Sequence, residues 1–245
     1  QGICFYSTMV TDTPVTIQDS EITAENTGIS MAAADNSPVN ILNNKITCTS
    51  TTLNPTHCLR FNAIANMAVA ITDTTVVSTM TALYFSTVDC PLTITGGSLS
   101  GVDHGLRTHA IGATGSLSIR DAVITSTTQN AVMLESTVAG PVSVRGCVVS
   151  CTSAASSTWL FSAAVTVPVT ISQTVISGAF YGLNFADAQA AISLDAVDIT
   201  SGGVGVGLNF NAVTGATISV NGGTIASSGI AINVVGTLDS GTTLA

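Results

Sequence analysis

The chain reads as all-β, folded as a parallel β-helix of about nine rungs with three short strands each. Three observations predict this. An apolar, small polar, apolar triplet returns at a period of 23 to 30 residues, and one further apolar residue follows each triplet at a fixed distance of five. A second alternating triplet then closes each repeat, and its last position collects six of the seven phenylalanines. Strict alternation with no helical periodicity anywhere is the signature of strands.

The first strand begins as Val15-Thr16-Ile17 and returns at Val39, Val69, Leu92, Leu117, Val142, Val169, Ile192 and Ile218. Pro14, Pro38, Pro91, Pro141 and Pro168 stand just before it, where a missing N–H is tolerated at the start of a ladder. The second strand is centred on Ile22, Ile46, Val76, Leu99, Ile124, Val149, Ile176, Ile199 and Ile225, and its constant distance from the first implies a turn of fixed geometry. The third strand carries Ile29-Ser30-Met31, Leu59-Arg60-Phe61, Leu83-Tyr84-Phe85, Leu106-Arg107-Thr108, Val132-Met133-Leu134, Trp159-Leu160-Phe161, Leu183-Asn184-Phe185, Leu208-Asn209-Phe210 and Ile232-Asn233-Val234. Equivalent positions then stack roughly 4.8 Å apart, so nine rungs span roughly 43 Å and inward Val, Ile, Leu and Phe form apolar columns. Asn184, Asn209 and Asn233 fall in three successive rungs as an amide ladder. Connections of varied length fall between the second and third strands, longest at 49–58 and 151–158.

Composition narrows the setting. Charged residues make up 8% of the chain and mean hydropathy is +0.55, yet Ser, Thr, Gly and Asn interrupt every apolar run, so no membrane span is expected. A net charge of −9, with five Lys and Arg in all, leaves no basic stripe for phosphates and argues against nucleic-acid binding. One elongated domain over 1–245 is expected. Gly2-Ile3-Cys4-Phe5 matches a third strand, and Thr242-Thr243-Leu244 falls where a tenth first strand begins, so the reading is of a segment of a longer solenoid, or a unit that stacks end to end. Cys48 and Cys58 flank the longest excursion and are placed to close it as a disulfide, which belongs to an oxidising compartment; buried free thiols are the alternative. No cysteine spacing suits zinc, and no cofactor is expected.

The Val/Leu-x-Ile, five residues, Ile, then Gly/Ala-Leu-x-Phe pattern resembles the right-handed parallel β-helices of the pectin-lyase-like superfamily across essentially the whole chain. That resemblance implies the fold, and either a polysaccharide lyase or hydrolase or a non-catalytic surface protein or adhesin. For an enzyme it implies acidic and basic groups on the outer face of neighbouring rungs. The outward column of the first strand, from Thr16 and Asn40 to Ser193 and Ser219, holds no carboxylate. Asp19, Asp73 and Asp121 recur in alternate rungs roughly 10 Å apart, within the range of an inverting pair, but read first as solvated turn residues. One cluster stands out: Asp103, His104, Arg107 and His109, with Arg120 and Arg145 in the next two rungs, could bind a uronate or abstract a proton. Alternation points Arg107 and His109 outward, places Asp103 and His104 in the preceding turn, and offers no convergent second carboxylate.

Two other surfaces follow from the register. A hydroxyl column from Thr23 and Thr47 to Ser177 and Thr200 raises ice binding, although its neighbour carries Glu21, Lys45 and Asp198. In that neighbouring column Val123, Val148 and Val175 form an apolar stripe, with Met133 and Leu160 expected outward nearby, and contiguous apolar surface marks an interface. The expectation is therefore a non-enzymatic, extracellular or cell-surface structural or adhesive rod. It would self-associate end to end or laterally, and meet glycans or other surface proteins. Carbohydrate binding or cleavage is the alternative, and ice binding the next.

Overall fold

The computed structural model describes residues 2–5, 14–32, 38–50, 57–62, 64–65, 67–235 and 243–244. The described elements are all β-strands, and every strand pairing is parallel. They wind into a solenoid of about eight turns. Rungs are numbered by their first strand, from rung one at Val15–Gln18 to rung nine at Thr217 onward. Thr217 and Ile218 of rung nine pair in turn with Thr243 and Leu244, the expected tenth first strand. The third strands, from Ile3–Phe5 through Ile29–Ala32 to Ile230–Val234, form a separate ten-stranded sheet. First and second strands share the other large sheet.

The fixed turn between first and second strands has a single physical cause. One residue per rung lies in the left-handed region: Asp19, Asn43, Asp73, Asp121, Gln173 and Ala196 have φ between 47° and 52°, and Gly96, Gly146 and Gly222 take the same position at 63°, 67° and 63°. Asp, Asn and Gly are the residues that adopt this conformation at least cost, which is why they recur there. In some rungs a polar side chain one residue on adds a second hydrogen bond to carbonyls at this turn, although those of Leu42 and Ser172 already accept from the backbone N–H groups of Asp19 and Gly146 in the preceding rung. Asn44 Nδ2 donates to the carbonyls of Ile17 at 2.8 Å and Leu42 at 2.9 Å, and Thr174 Oγ1 donates to that of Ser172 at 2.8 Å.

Inside, the alternation builds the expected columns. Phe61 stacks on Phe85 at 4.5 Å between centroids, Phe161 on Phe185 at 4.5 Å and Phe185 on Phe210 at 5.0 Å. Each such pair adds about 0.5–1.5 kcal/mol to simple burial. Thr108 and Leu134 fill the two intervening rungs of this column. The residue before each inward Leu must be small: a Cβ on Gly105 would meet Ile124 Cγ2 at 2.5 Å, and one on Gly207 would meet Ile225 Cγ2 at 2.7 Å. Trp159, the one tryptophan, replaces a leucine in the neighbouring column and is fully buried.

The sequence pattern leaves out one buried column. Val88, Ile111, Val138, Val165, Ala188 and Val213 are buried and pair along the axis between the third strand and the next first strand, and the backbone of Val88 pairs in turn with that of Ile64. It consists largely of single bridges, so the rung closes through a fourth apolar contact that lacks a strand-length alternation.

Candidate functional site

The outer face of the third-strand sheet gathers a cluster of charged, imidazole and aromatic side chains. In register along it run Arg60, Tyr84, Arg107, Met133, Leu160, Asn184, Asn209 and Asn233. All three histidines, His57, His104 and His109, belong to the same strands or their ends. His57 stacks on Tyr84 with ring centroids 4.1 Å apart, and the Arg107 guanidinium lies 5.9 Å from the centre of the same ring. Arg107 Nε donates to Glu135 Oε1 at 2.8 Å, and His109 Nδ1 lies 3.4 Å from Glu135 Oε2. The carboxylate that sequence reasoning failed to find is therefore Glu135, one rung on and one residue past its third strand.

Burial favours the neutral form of two imidazoles on this sheet, His57 and His104. His57 is 6% exposed, and burial, reinforced by the positive charges of Arg60 and Arg107 and by His104, pulls its pKa down to about 4 against the opposing pull of Glu135. Its Nδ1 has no hydrogen-bond partner. His104 is also buried, which lowers its pKa. Its Nδ1 faces the Asn130 carbonyl at 2.9 Å, so it carries the proton and donates, and this contact opposes the shift. Glu135 is held by Arg107, an arrangement that fixes both side chains.

The structure corrects two of the expected groupings. His104 is not a turn residue but opens the third strand His104–Thr108, while Asp103 stays in the turn and accepts from Thr128 Oγ1 at 2.8 Å. Arg120 and Arg145 pair with each other at the ends of first strands, on the other large sheet, so they do not join Arg107 and His109. Arg145 is engaged with Gln173 at 2.9 Å. Met133 lies on the third strand as expected, between Arg107 and Leu160, on a different sheet from the one that carries the valine stripe. Asp19, Asp73 and Asp121 are exposed and occupy the left-handed turn position; Asp19 Oδ1 accepts from Asn43 Nδ2 at 2.8 Å. The amide ladder is formed as read: Asn209 Nδ2 donates to Asn184 Oδ1 at 2.8 Å, and Asn233 Nδ2 to Asn209 Oδ1 at 2.7 Å. Cys48 and Cys58 are joined as a disulfide with Cα atoms 5.5 Å apart, and Cys90, Cys147 and Cys151 are buried thiols. Among the described residues no group of three or more His, Cys, Asp or Glu is arranged to hold a metal ion.

The second surface is the outer face of the second strands. Val123, Val148 and Val175 lie in register, 40%, 43% and 42% exposed, and Val77 in the adjacent column is 41% exposed. Over rungs three to seven the outward residues are Thr75, Val77, Ser98, Ser100, Val123, Thr125, Val148, Ser150, Val175 and Ser177, none of them charged. The stripe ends beside a shallow notch of about 340 Å³ lined by Ser150, Cys151, Thr152, Ser177, Gly178 and Ala179. No protein-family model, curated protein or solved structure matches the chain. Its class is set by its own coordinates: a parallel β-solenoid.

Proposed function

We propose that the chain is a non-enzymatic, extracellular or cell-surface β-solenoid rod whose role is structural or adhesive and which self-associates. The observation that carries this reading is the outer face of the second strands, which is uncharged over five rungs and exposes a valine in four of them, in a chain of net charge −9. The Cys48–Cys58 disulfide supports an oxidising location. Stacked backbone ladders and phenyl columns supply axial stiffness without a cofactor.

A second reading, a carbohydrate-binding or carbohydrate-active member of the pectin-lyase-like superfamily, draws on one observation. Arg107, Glu135 and His109 converge beside Tyr84 on an outer face, a mixture of charge and aromatic surface that suits an acidic sugar. Electron microscopy of native material separates the two. Rods or laterally packed assemblies containing this chain support the first; discrete monomers that retain uronate polysaccharides, with retention lost in Arg107→Ala, overturn it in favour of the second.

A further inference from the structure

The charges that bound the uncharged face are arranged symmetrically. Along the column containing the valine stripe, Lys45 lies three rungs before Val123 and Asp198 three rungs after it, through Thr75 and Ser98 on one side and Val148 and Val175 on the other. Every position between the two charges is Val, Ser or Thr, and Lys45 and Asp198 are both exposed. Each charge is therefore roughly 14 Å from Val123, at about 4.8 Å per rung.

We infer that this face docks onto a second copy of the same chain, face to face, with the solenoid axes antiparallel and a two-fold axis through Val123. The inference rests on the reading of the chain as a self-associating rod and adds the partner and the register. A two-fold there places rung two of one copy opposite rung eight of the other, so Lys45 meets Asp198 of the partner copy at both ends. Rung five meets rung five, with Val123 against its own equivalent, and the remaining Val, Ser and Thr rows interleave between the two closures. This is an isologous contact with complementary ends and an uncharged centre, which is what lets two copies of net charge −9 approach. A shift of the register by one rung breaks both ion pairs at once. Lys45 already pairs with Glu21 at 2.6 Å, so the contact extends an existing pair and orders no new lysine.

The area sets the strength. Seven rungs at about 4.8 Å by four residues at about 3.3 Å give roughly 450 Å² per copy, about half of a standard interface. The pair is thus weak for isolated chains and strengthens where rods present many copies together.

Sedimentation equilibrium of the full chain, from about 10 μM to 1 mM, tests this. A reversible monomer–dimer equilibrium is expected. Val123→Glu, which sets two carboxylates against each other on the axis, abolishes it. Lys45→Glu and Asp198→Lys each weaken it at least tenfold, and the double exchange restores it. Circular dichroism checks that each variant folds, and because Lys45 and Asp198 are exposed, the exchange stands even if Val123→Glu does not. A wild-type chain that stays monomeric throughout, a dimer indifferent to Val123→Glu, or a double exchange that fails to restore pairing overturns the proposal. If native rods are seen by microscopy while the chain fails these tests, the docking register falls and the rod reading survives; if neither is seen, both fall.

Discussion

Replacing Thr108 by valine tests whether the phenyl column is a dry, close-packed core. Thr108 takes the phenylalanine position in rung four, between Phe85 and Leu134, and is 0% exposed. Its Oγ1 is buried without a hydrogen-bond partner. A hydroxyl in that state costs about 1–3 kcal/mol relative to water, whereas valine keeps the β-branched shape and puts a methyl group in its place. Thr108→Val should therefore stabilise the fold by about 1–2 kcal/mol, which for a chain of this size raises the melting temperature by about 2–8 °C. Thr108→Ser supplies the opposite sign, because it keeps the orphan hydroxyl and deletes a buried methyl worth about 1 kcal/mol. The assay is guanidinium unfolding followed in parallel by far-UV circular dichroism and by the fluorescence of Trp159, which is fully buried two rungs away. A neutral or destabilised valine variant would refute the argument, since it would mean that the hydroxyl is satisfied inside the column.

Three further outcomes follow from the same geometry. Ala196 holds the left-handed turn position at φ 51° without the side chain or the freedom that suits it, so Ala196→Gly should raise stability by about 1 kcal/mol in thermal melts. The depressed pKa of His57, about 4 against an ordinary 6.5, means that the unfolded chain takes up a proton before the folded chain does. Its contribution is thus complete above about pH 6.5 and is lost as pH falls toward 4, by an upper bound of about 3 kcal/mol. His104 shifts in the same sense, and melts from pH 8 to 4 should show this loss, reduced in His57→Gln. Asn209 is 2% exposed and donates to Asn184 and Asn211 while accepting from Asn233, so Asn209→Ala should cost about 2–3 kcal/mol in denaturant midpoint, against near zero for the surface change Ser143→Ala.

The three strand columns were legible in the sequence because alternation has period two and the first-to-second connection never changes length; both are properties of single residues at fixed offsets. The left-handed corner was legible only as that constant length, since Asp, Asn, Gly, Gln and Ala share no chemistry beyond a backbone angle. The fourth column was not legible, because it gives one residue per rung at an offset of three or four from the phenylalanine position. For the polar face, Glu135 lies 28 residues from Arg107 in sequence and meets it only through stacking. Reading Arg60, Tyr84 and Arg107 as one outward column, as the valines were read, would have pointed to the face and to His57 beside it.

The left-handed corner divides each rung into a part that tolerates no editing and a part that does. A single-residue insertion between Ile17 and Ile22, or at its equivalent in any rung, would turn every following side chain of that strand inside out. The corner after the second strand already accommodates spacings from seven residues, between Ile22 and Ile29, to thirteen, between Ile46 and Leu59. Peptides grafted there would be displayed along one edge at multiples of about 4.8 Å. The molecule is in that sense a graduated scale, with its divisions fixed on one side and its labels free to change on the other.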